Sequence, residues 1–189
     1  MQQNGIFIIA EFGGVAGERV REINEKYDPK LARYKAPHVT LTGSSGVGPI
    51  PAPVSAAELR EKLTPVTSST APITLRFGPP MRFMQSDIVV LPLDPHGPLR
   101  ILHDRIAKSG LQFQRARFTF SPHCTLSLYP TLTRDTEREL LSVRIHETVI
   151  IDSITVYQTL DPQPSKKMLE LRLKGTPMNI SDDPASNSP

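Results

Sequence analysis

The chain has 189 residues, of which 38% are hydrophobic and 22% are charged, with a formal net charge of +3 at pH 7. No stretch approaches the roughly 20 apolar residues of a membrane-spanning helix, and the first residues lack the basic and apolar segments of a secretory signal. We therefore expect a soluble cytoplasmic protein of one domain that does not act at a membrane. The one cysteine, Cys124, excludes an internal disulfide and a cysteine-based zinc site.

The first half of the chain predicts alternating strands and helices. Residues 6–12 form an apolar run rich in β-branched and aromatic side chains, typical of a buried strand, and Val20 and Ile23 follow at helical spacing. Ser55, with Glu58 three positions later, is the signature of a helix N-terminus. The predicted elements are a strand at 6–12, a helix at 16–27, a strand at 38–43, a helix at 56–64 and strands at 72–78 and 81–85.

The second half predicts the same order again. Leu99, Leu102 and Ile106 have helical spacing, and His103 between them is interpreted as a surface or helix-face residue. The predicted elements are a strand at 87–93, a helix at 97–109, a strand at 118–128, a helix at 133–143 and strands at 148–159 and 167–174. The remainder, 175–189, is polar and is predicted to be a disordered tail.

One short motif occurs once in each half, each time directly after a proline. The two copies are His38-Val39-Thr40-Leu41 and His123-Cys124-Thr125-Leu126. The histidines are 85 positions apart, and the two opening strands are about 82 positions apart. An internal duplication, roughly 5–85 and 86–174, explains both offsets.

Alternation along a strand decides which motif side chains share a face. The side chains predicted to line the polar faces are His38, Thr40 and Thr42 on the first motif strand and His123, Thr125, Ser127 and Tyr129 on the second. Cys124 falls on the opposite, apolar face and is interpreted as a packing residue. Two imidazoles can act as acid and base near neutral pH, and hydroxyls can hydrogen-bond an anion. The set therefore favours chemistry on a phosphate.

The paired motifs and the order of elements resemble the 2H phosphoesterase superfamily, and within it the 2′-5′ RNA ligase and RNA 2′,3′-cyclic phosphodiesterase group. The resemblance extends over about residues 5–174, so a single bilobal domain is expected at 1–174. It implies an α+β fold with two pseudo-symmetric lobes, each an antiparallel sheet flanked by helices, around a central cleft that bears both motifs. It also implies catalysis without a metal or cofactor, by His38 and His123, with Thr40 and Thr125 holding the phosphate.

The reaction expected from this resemblance opens 2′,3′-cyclic phosphates at RNA or nucleotide ends to 2′-phosphates, and reversible 2′-5′ RNA ligation is a related activity. A non-catalytic nucleotide-binding module and a hydrolase of 2′-5′-linked oligonucleotides remain alternatives. A two-histidine metal site is disfavoured, because metal sites usually have three or more protein ligands. Thr42, Ser127 and Tyr129 are candidates for substrate binding. A monomer is expected.

The residues that would contact the rest of a substrate are less clearly marked. Some members of the group carry a basic residue soon after a motif, and neither motif here is followed by one. Arg82, Arg115 and Arg117 are interpreted as surface arginines that could also meet RNA phosphates. Phe83 and Phe120 are interpreted as core residues rather than platforms for a base.

Overall fold

The computed structural model describes residues 4–83, 86–128, 132–159 and 165–176. The strands are β1 Gly5–Glu11, β2 His38–Thr42, β3 Ile73–Leu75, β4 Met81–Arg82, β5 Val89–Pro92, β6 His123–Ser127, β7 Val149–Ile151, β8 Ser153–Thr159 and β9 Lys166–Arg172. The helices are α1 Gly14–Tyr27, α2 Pro29–Tyr34, α3 Ala56–Ser68, α4 Pro98–Ala107 and α5 Arg134–Ser142. The predicted α+β class, with antiparallel sheets and flanking helices, is confirmed. Residues 177–189, most of the predicted tail, lie outside the described ranges.

Helix α2 lies between the predicted helix at 16–27 and the predicted strand at 38–43, where the sequence predicts no element. The side chain of Asp28 accepts a hydrogen bond from the Leu31 amide at 3.0 Å, and Pro29 occupies the first helical position. Both features favour a helix start rather than only a helix end. The Asp-Pro pair therefore ends α1 and begins α2.

The second motif strand is shorter than predicted and begins at His123 rather than at 118. The preceding segment is bonded to the loop after β2 instead of to a neighbouring strand. The Gly46 amide donates to the Phe118 carbonyl at 2.9 Å, and the Ser121 amide donates to the Ser45 hydroxyl at 3.2 Å. These long-range bonds replace the ladder that local β-propensity predicted.

The sheets combine strands from both halves of the chain. The order is β2-β1-β8-β9 in the four-stranded sheet, β4-β5-β6 in the three-stranded sheet and β3-β7 in the two-stranded sheet. Each opening strand, β1 or β5, pairs on one side with the motif strand of its own half. On its other side it pairs with a strand from the opposite half, β8 or β4.

The two motif strands pair with their opening strands in the same register. Glu11 pairs with His38 as Pro92 pairs with His123. One step further, Ile9 pairs with Thr40 as Val90 pairs with Thr125, and last, Ile8 pairs with Thr42 as Val89 pairs with Ser127. Both ladders are irregular at the same place, between the second and third of these positions. This correspondence supports the internal duplication, which we keep as a proposal with its boundaries at 5–85 and 86–174.

The apolar faces of the motif strands lie in the core. Val39, Leu41, Cys124 and Leu126 are all buried, so the interpretation of Cys124 as a packing residue is confirmed. Burial raises the pKa of the Cys124 thiol to about 12, so it stays protonated at neutral pH. None of the described helices is long and apolar enough to cross a membrane.

Each motif strand is held by a polar side chain from a helix of the other half. Asn24 of α1 donates to the carbonyls of Thr125 and Leu126 at 3.1 and 2.8 Å. His103 of α4 donates from Nδ1 to the Leu41 carbonyl at 2.7 Å. The interpretation of His103 as a surface residue is therefore wrong: its side chain is buried on the inner face of α4. Leu41 and Leu126 are equivalent motif positions, so the two helices fix the two motifs in the same way.

We expect Asn24→Ala to lower the free energy of unfolding by about 1–3 kcal/mol, because two carbonyls lose their donor and the Leu126 carbonyl is buried. Urea denaturation followed by circular dichroism measures the loss. The matched control is Glu22→Ala, an exposed position on the same helix, where we expect a change within about 0.5 kcal/mol. Equal effects at the two positions would show that Asn24 does not hold the motif strand.

Candidate active site

The imidazole rings of His38 and His123 are tethered in the same way. In each ring Nδ1 lies 2.8 Å from the backbone carbonyl two residues earlier, that of Ala36 or of Ser121. A carbonyl only accepts, so Nδ1 carries the proton in the neutral ring and Nε2 keeps a free lone pair. Each carbonyl belongs to the residue before a proline, in the X-Pro-His frame that both motifs share. A residue before proline is biased toward extended backbone, so the two bonds form in the same local conformation.

The hydroxyls of Thr40 and Thr125 lie on the same face as the motif histidines. Both side chains are half-buried. Neither hydroxyl has a hydrogen-bond partner within the described ranges. Each motif strand therefore offers one imidazole and one hydroxyl that has no partner among the described residues.

The two motif strands lie against each other. The backbone of His38 acts on the Cys124 thiol and partly opposes the rise in its pKa that burial causes, and the charge of His123 adds to the lowering of the His38 pKa. The strands that carry the four candidate residues are therefore neighbours, and His38, Thr40, His123 and Thr125 stay the proposed site.

Burial lowers the pKa of both motif imidazoles below its ordinary value. At His38 the hydrogen bond to the carbonyl and the Glu11 carboxylate oppose this shift, whereas the charges of Lys35 and His123 add to it. A proton on one histidine therefore disfavours a proton on the other. The singly protonated pair, with one acid and one base, is favoured over the doubly protonated pair.

The surroundings of the two histidines differ. The ring of Phe83 meets the His123 ring edge-on, with centroids 4.9 Å apart, so Phe83 belongs to the site rather than only to the core. Beside His38 lie Glu11, its partner across the ladder, and Lys35, three residues earlier. One histidine thus has an aromatic neighbour and the other has charged neighbours.

Tyr157 has the same pairing position relative to β1 that Phe83 has relative to β5. Tyr157 pairs with Phe7 of β1, and the Phe83 amide donates to Ile88, the residue that corresponds to Phe7 in the second half. The Tyr157 hydroxyl donates to Oε1 of Glu11 at 2.9 Å. These four neighbours, Glu11, Lys35, Phe83 and Tyr157, were missed in the sequence because strand pairing, not proximity along the chain, places most of them.

Comparison with models of known protein families shows to which family this chain belongs. A family model described as the 2′-5′ RNA ligase superfamily matches residues 14–163 and includes both motifs. The chain belongs to this superfamily. No curated protein sequence matches it significantly.

Solved structures of the same fold agree with membership of the superfamily. Escherichia coli LigT without ligand is 18% identical, with a TM-score of 0.55 over 92% of this chain and 99% of LigT. LigT in complex with 3′-AMP is 17% identical, with a TM-score of 0.56 over 91% and 99%. A protein described as a phosphoesterase is 16% identical, with a TM-score of 0.51 over 91% and 99%. At these identities the likeness shows a shared fold.

Two of the predicted substrate-binding residues are buried beneath the site. Strand alternation predicted that Thr42 and Ser127 would share the open face with the histidines, but they are 0% and 1% exposed. The irregularity in each ladder interrupts the alternation and turns both side chains inward. The prediction that they line the open face is therefore wrong. Tyr129, the third candidate, lies outside the described residues.

The arginines near the motifs divide into bound and exposed side chains. Arg82 donates to the carboxylates of Glu137 and Asp87, which accounts for its charge. Arg115 and Arg117 are exposed on the segment before β6. Phe120 is a core residue, as predicted, and its ring stacks on the His103 ring with the centroids 4.1 Å apart. Within the described ranges, no group of three or more His, Cys, Asp or Glu side chains is arranged to hold a metal ion.

We expect Thr40→Val and Thr125→Val each to weaken the binding of inorganic phosphate at least tenfold, since each removes a donor to an anion. Thr42→Val and Ser127→Ala are the matched controls on the same strands. Their hydroxyls are buried and have no hydrogen-bond partner among the described residues, so we expect phosphate binding to be unchanged and stability to be equal or higher. Calorimetric titration measures the binding. Equal losses of phosphate affinity at all four positions would refute the assignment of Thr40 and Thr125 to the open face and of Thr42 and Ser127 to the core.

Proposed function

We propose that the protein is a phosphodiesterase that opens 2′,3′-cyclic phosphates at RNA or nucleotide ends and leaves 2′-phosphates. The observation that carries this proposal is the pair of equally tethered imidazoles, His38 and His123, on motif strands that lie against each other. Their Nε2 atoms are available for proton transfer in both directions. Superfamily membership and the likeness to a phosphoesterase support the same reaction class.

In the proposed reaction, one imidazole accepts a proton from water through Nε2 while the water oxygen bonds to phosphorus. The bond between phosphorus and the 3′ oxygen breaks, and the second imidazole, protonated at the start, donates its Nε2 proton to that oxygen. The pair exchanges roles over one turnover, and the 2′-phosphate is the product. Each proton transfer contributes roughly 10²–10⁴ in rate.

The hydroxyls of Thr40 and Thr125 would donate hydrogen bonds to the non-bridging oxygens of the phosphate. Negative charge grows on these oxygens as the water attacks, so the bonds strengthen in the transition state and lower the barrier. LigT has been crystallised with phosphate and with 3′-AMP. These complexes support a phosphate or nucleotide as the ligand of this site too.

The same groups could catalyse a parallel transfer, in which an RNA 5′-hydroxyl replaces water as the nucleophile. Its oxygen bonds to phosphorus, the bond to the 3′ oxygen breaks and that oxygen takes a proton, so a 2′-5′ linkage forms; the reverse step cleaves the linkage. We therefore include reversible 2′-5′ RNA ligation in the proposal. The substrate is taken to be an RNA end or a small cyclic phosphate, without a metal or cofactor. The monomeric state and the cytoplasmic location stay predictions.

We expect His38→Ala and His123→Ala each to lower kcat for 2′,3′-cyclic AMP by at least about 10²-fold, because each removes one proton transfer. Chromatographic separation of 2′-AMP from 3′-AMP measures both rate and product, in buffer that contains excess EDTA. The matched control is His96→Ala, in an exposed turn, for which we expect unchanged activity.

Three outcomes would contradict the proposal in different ways. Wild-type protein that binds 2′-AMP but turns over no cyclic phosphate would indicate the nucleotide-binding module. Turnover only of 2′-5′-linked oligonucleotides would indicate the alternative hydrolase. Activity abolished by EDTA and restored by a divalent ion would indicate a metal-dependent site.

A further inference from the structure

A charged cluster lies beside one motif histidine and has no counterpart among the described residues beside the other. Glu11 lies opposite His38 in the ladder, while Pro92 lies opposite His123. The Nζ of Lys35 lies 3.0 Å from the centroid of the Tyr157 ring, whose hydroxyl donates to Glu11. The cluster therefore joins residues from β1, β8 and the end of α2.

Lys35 is a half-buried cation without a direct ionic partner. No carboxylate in the described ranges lies within 4.0 Å of its Nζ; the Tyr157 ring face is its contact, and Glu11 attracts it from farther away. Burial lowers the pKa of Lys35 to about 8. An ammonium group that is partly removed from water and has no carboxylate in direct contact is stabilised when an anion binds beside it.

The position of Lys35 relative to His38 indicates where such an anion would bind. The charge of Lys35 acts on His38 and lowers the pKa of its imidazole. No lysine or arginine occurs at 42–48 or 127–133, directly after the two motifs, so these segments bring no such cation to the phosphate. Lys35 precedes its motif and supplies a positive charge on the His38 side.

We propose that Lys35 is the substrate-binding cation of this site and pairs with the phosphate anion held between His38 and His123. Tyr157 and Glu11 position its side chain: the ring supports the ammonium from one side, and the carboxylate fixes the ring through its hydroxyl. The inference rests on the proposed function for the identity of the anion. It adds a residue to the site that neither motif contains.

A pH dependence of anion binding follows from the proposal. Lys35 is charged below about pH 8 and loses its charge as the pH rises through that value, so anion binding should weaken there. The groups that face it are Glu11, His38 and Tyr157, with Glu170 and Lys167 of β9 acting on those groups from farther out. Burial raises the pKa of Tyr157 to about 12, and burial lowers that of His38. Neither group therefore titrates between pH 7 and pH 9.5.

The test is a titration with sulfate, whose charge is constant from pH 7 to pH 9.5, followed by nuclear magnetic resonance chemical shifts. At pH 7 we expect Lys35→Met to weaken sulfate binding roughly tenfold and Lys35→Arg to retain it. At pH 9.5 wild type should bind as weakly as Lys35→Met, while Lys35→Arg should bind as at pH 7. The control is Lys62→Met, on the exposed face of α3, which should follow wild type at both values.

Wild-type affinity in Lys35→Met would overturn the proposal, and a loss of stability without weaker binding would assign Lys35 only to the end of α2. Sulfate binding does not require turnover, so the test is separate from that of the reaction. If sulfate binding depends on Lys35 but no cyclic phosphate is hydrolysed, the proposed function fails and the anion site stands. If cyclic phosphate is hydrolysed but Lys35→Met changes neither KM nor the affinity for sulfate, the proposed function stands and the role of Lys35 is refuted.

Discussion

The pairing of each motif strand with the opening strand of its half is the constraint on which the site depends. The shared register places His38 and His123 at the same point of two ladders, each with its imidazole tethered to a backbone carbonyl. The shared irregularity ends the polar face after Thr40 and Thr125 and turns the following residues into the core. The same strand pairing in both halves thus produces two equivalent sets, each with one imidazole and one hydroxyl.

The cross-connections between halves keep these two sets together. Strands β4 and β8 add to the sheet of the opposite half, and Asn24 and His103 bond to the motif strand of the opposite half. Neither half can therefore form its sheet or fix its motif alone. The symmetry ends at the rim of the site, where Phe83 faces one histidine and Lys35 lies near the other.

The sequence predicted the class of the fold because strand alternation and helical spacing are local patterns. The repeated motif is local too, and it is what marks His38, Thr40, His123 and Thr125 as the proposed site. Thr42 was placed on the wrong face because an irregularity in a ladder depends on the partner strand. His103 could have been recognised as buried, since it shares the spacing of the apolar residues of α4. Tyr157 could not be joined to the site from sequence, because β8 reaches β1 through the exchange of strands between halves. Lys35 is close to His38 along the chain, but its contact with the Tyr157 ring depends on the same exchange.

The central claim is that two coupled imidazoles, His38 and His123, act as acid and base on one phosphate. The measurement that tests it most directly is kcat/KM for 2′,3′-cyclic AMP between pH 5 and pH 9 at constant ionic strength. Because burial lowers the pKa of both histidines, the account predicts a bell-shaped profile with its maximum below about pH 6.5. A profile that is flat from pH 5 to pH 9 would contradict it.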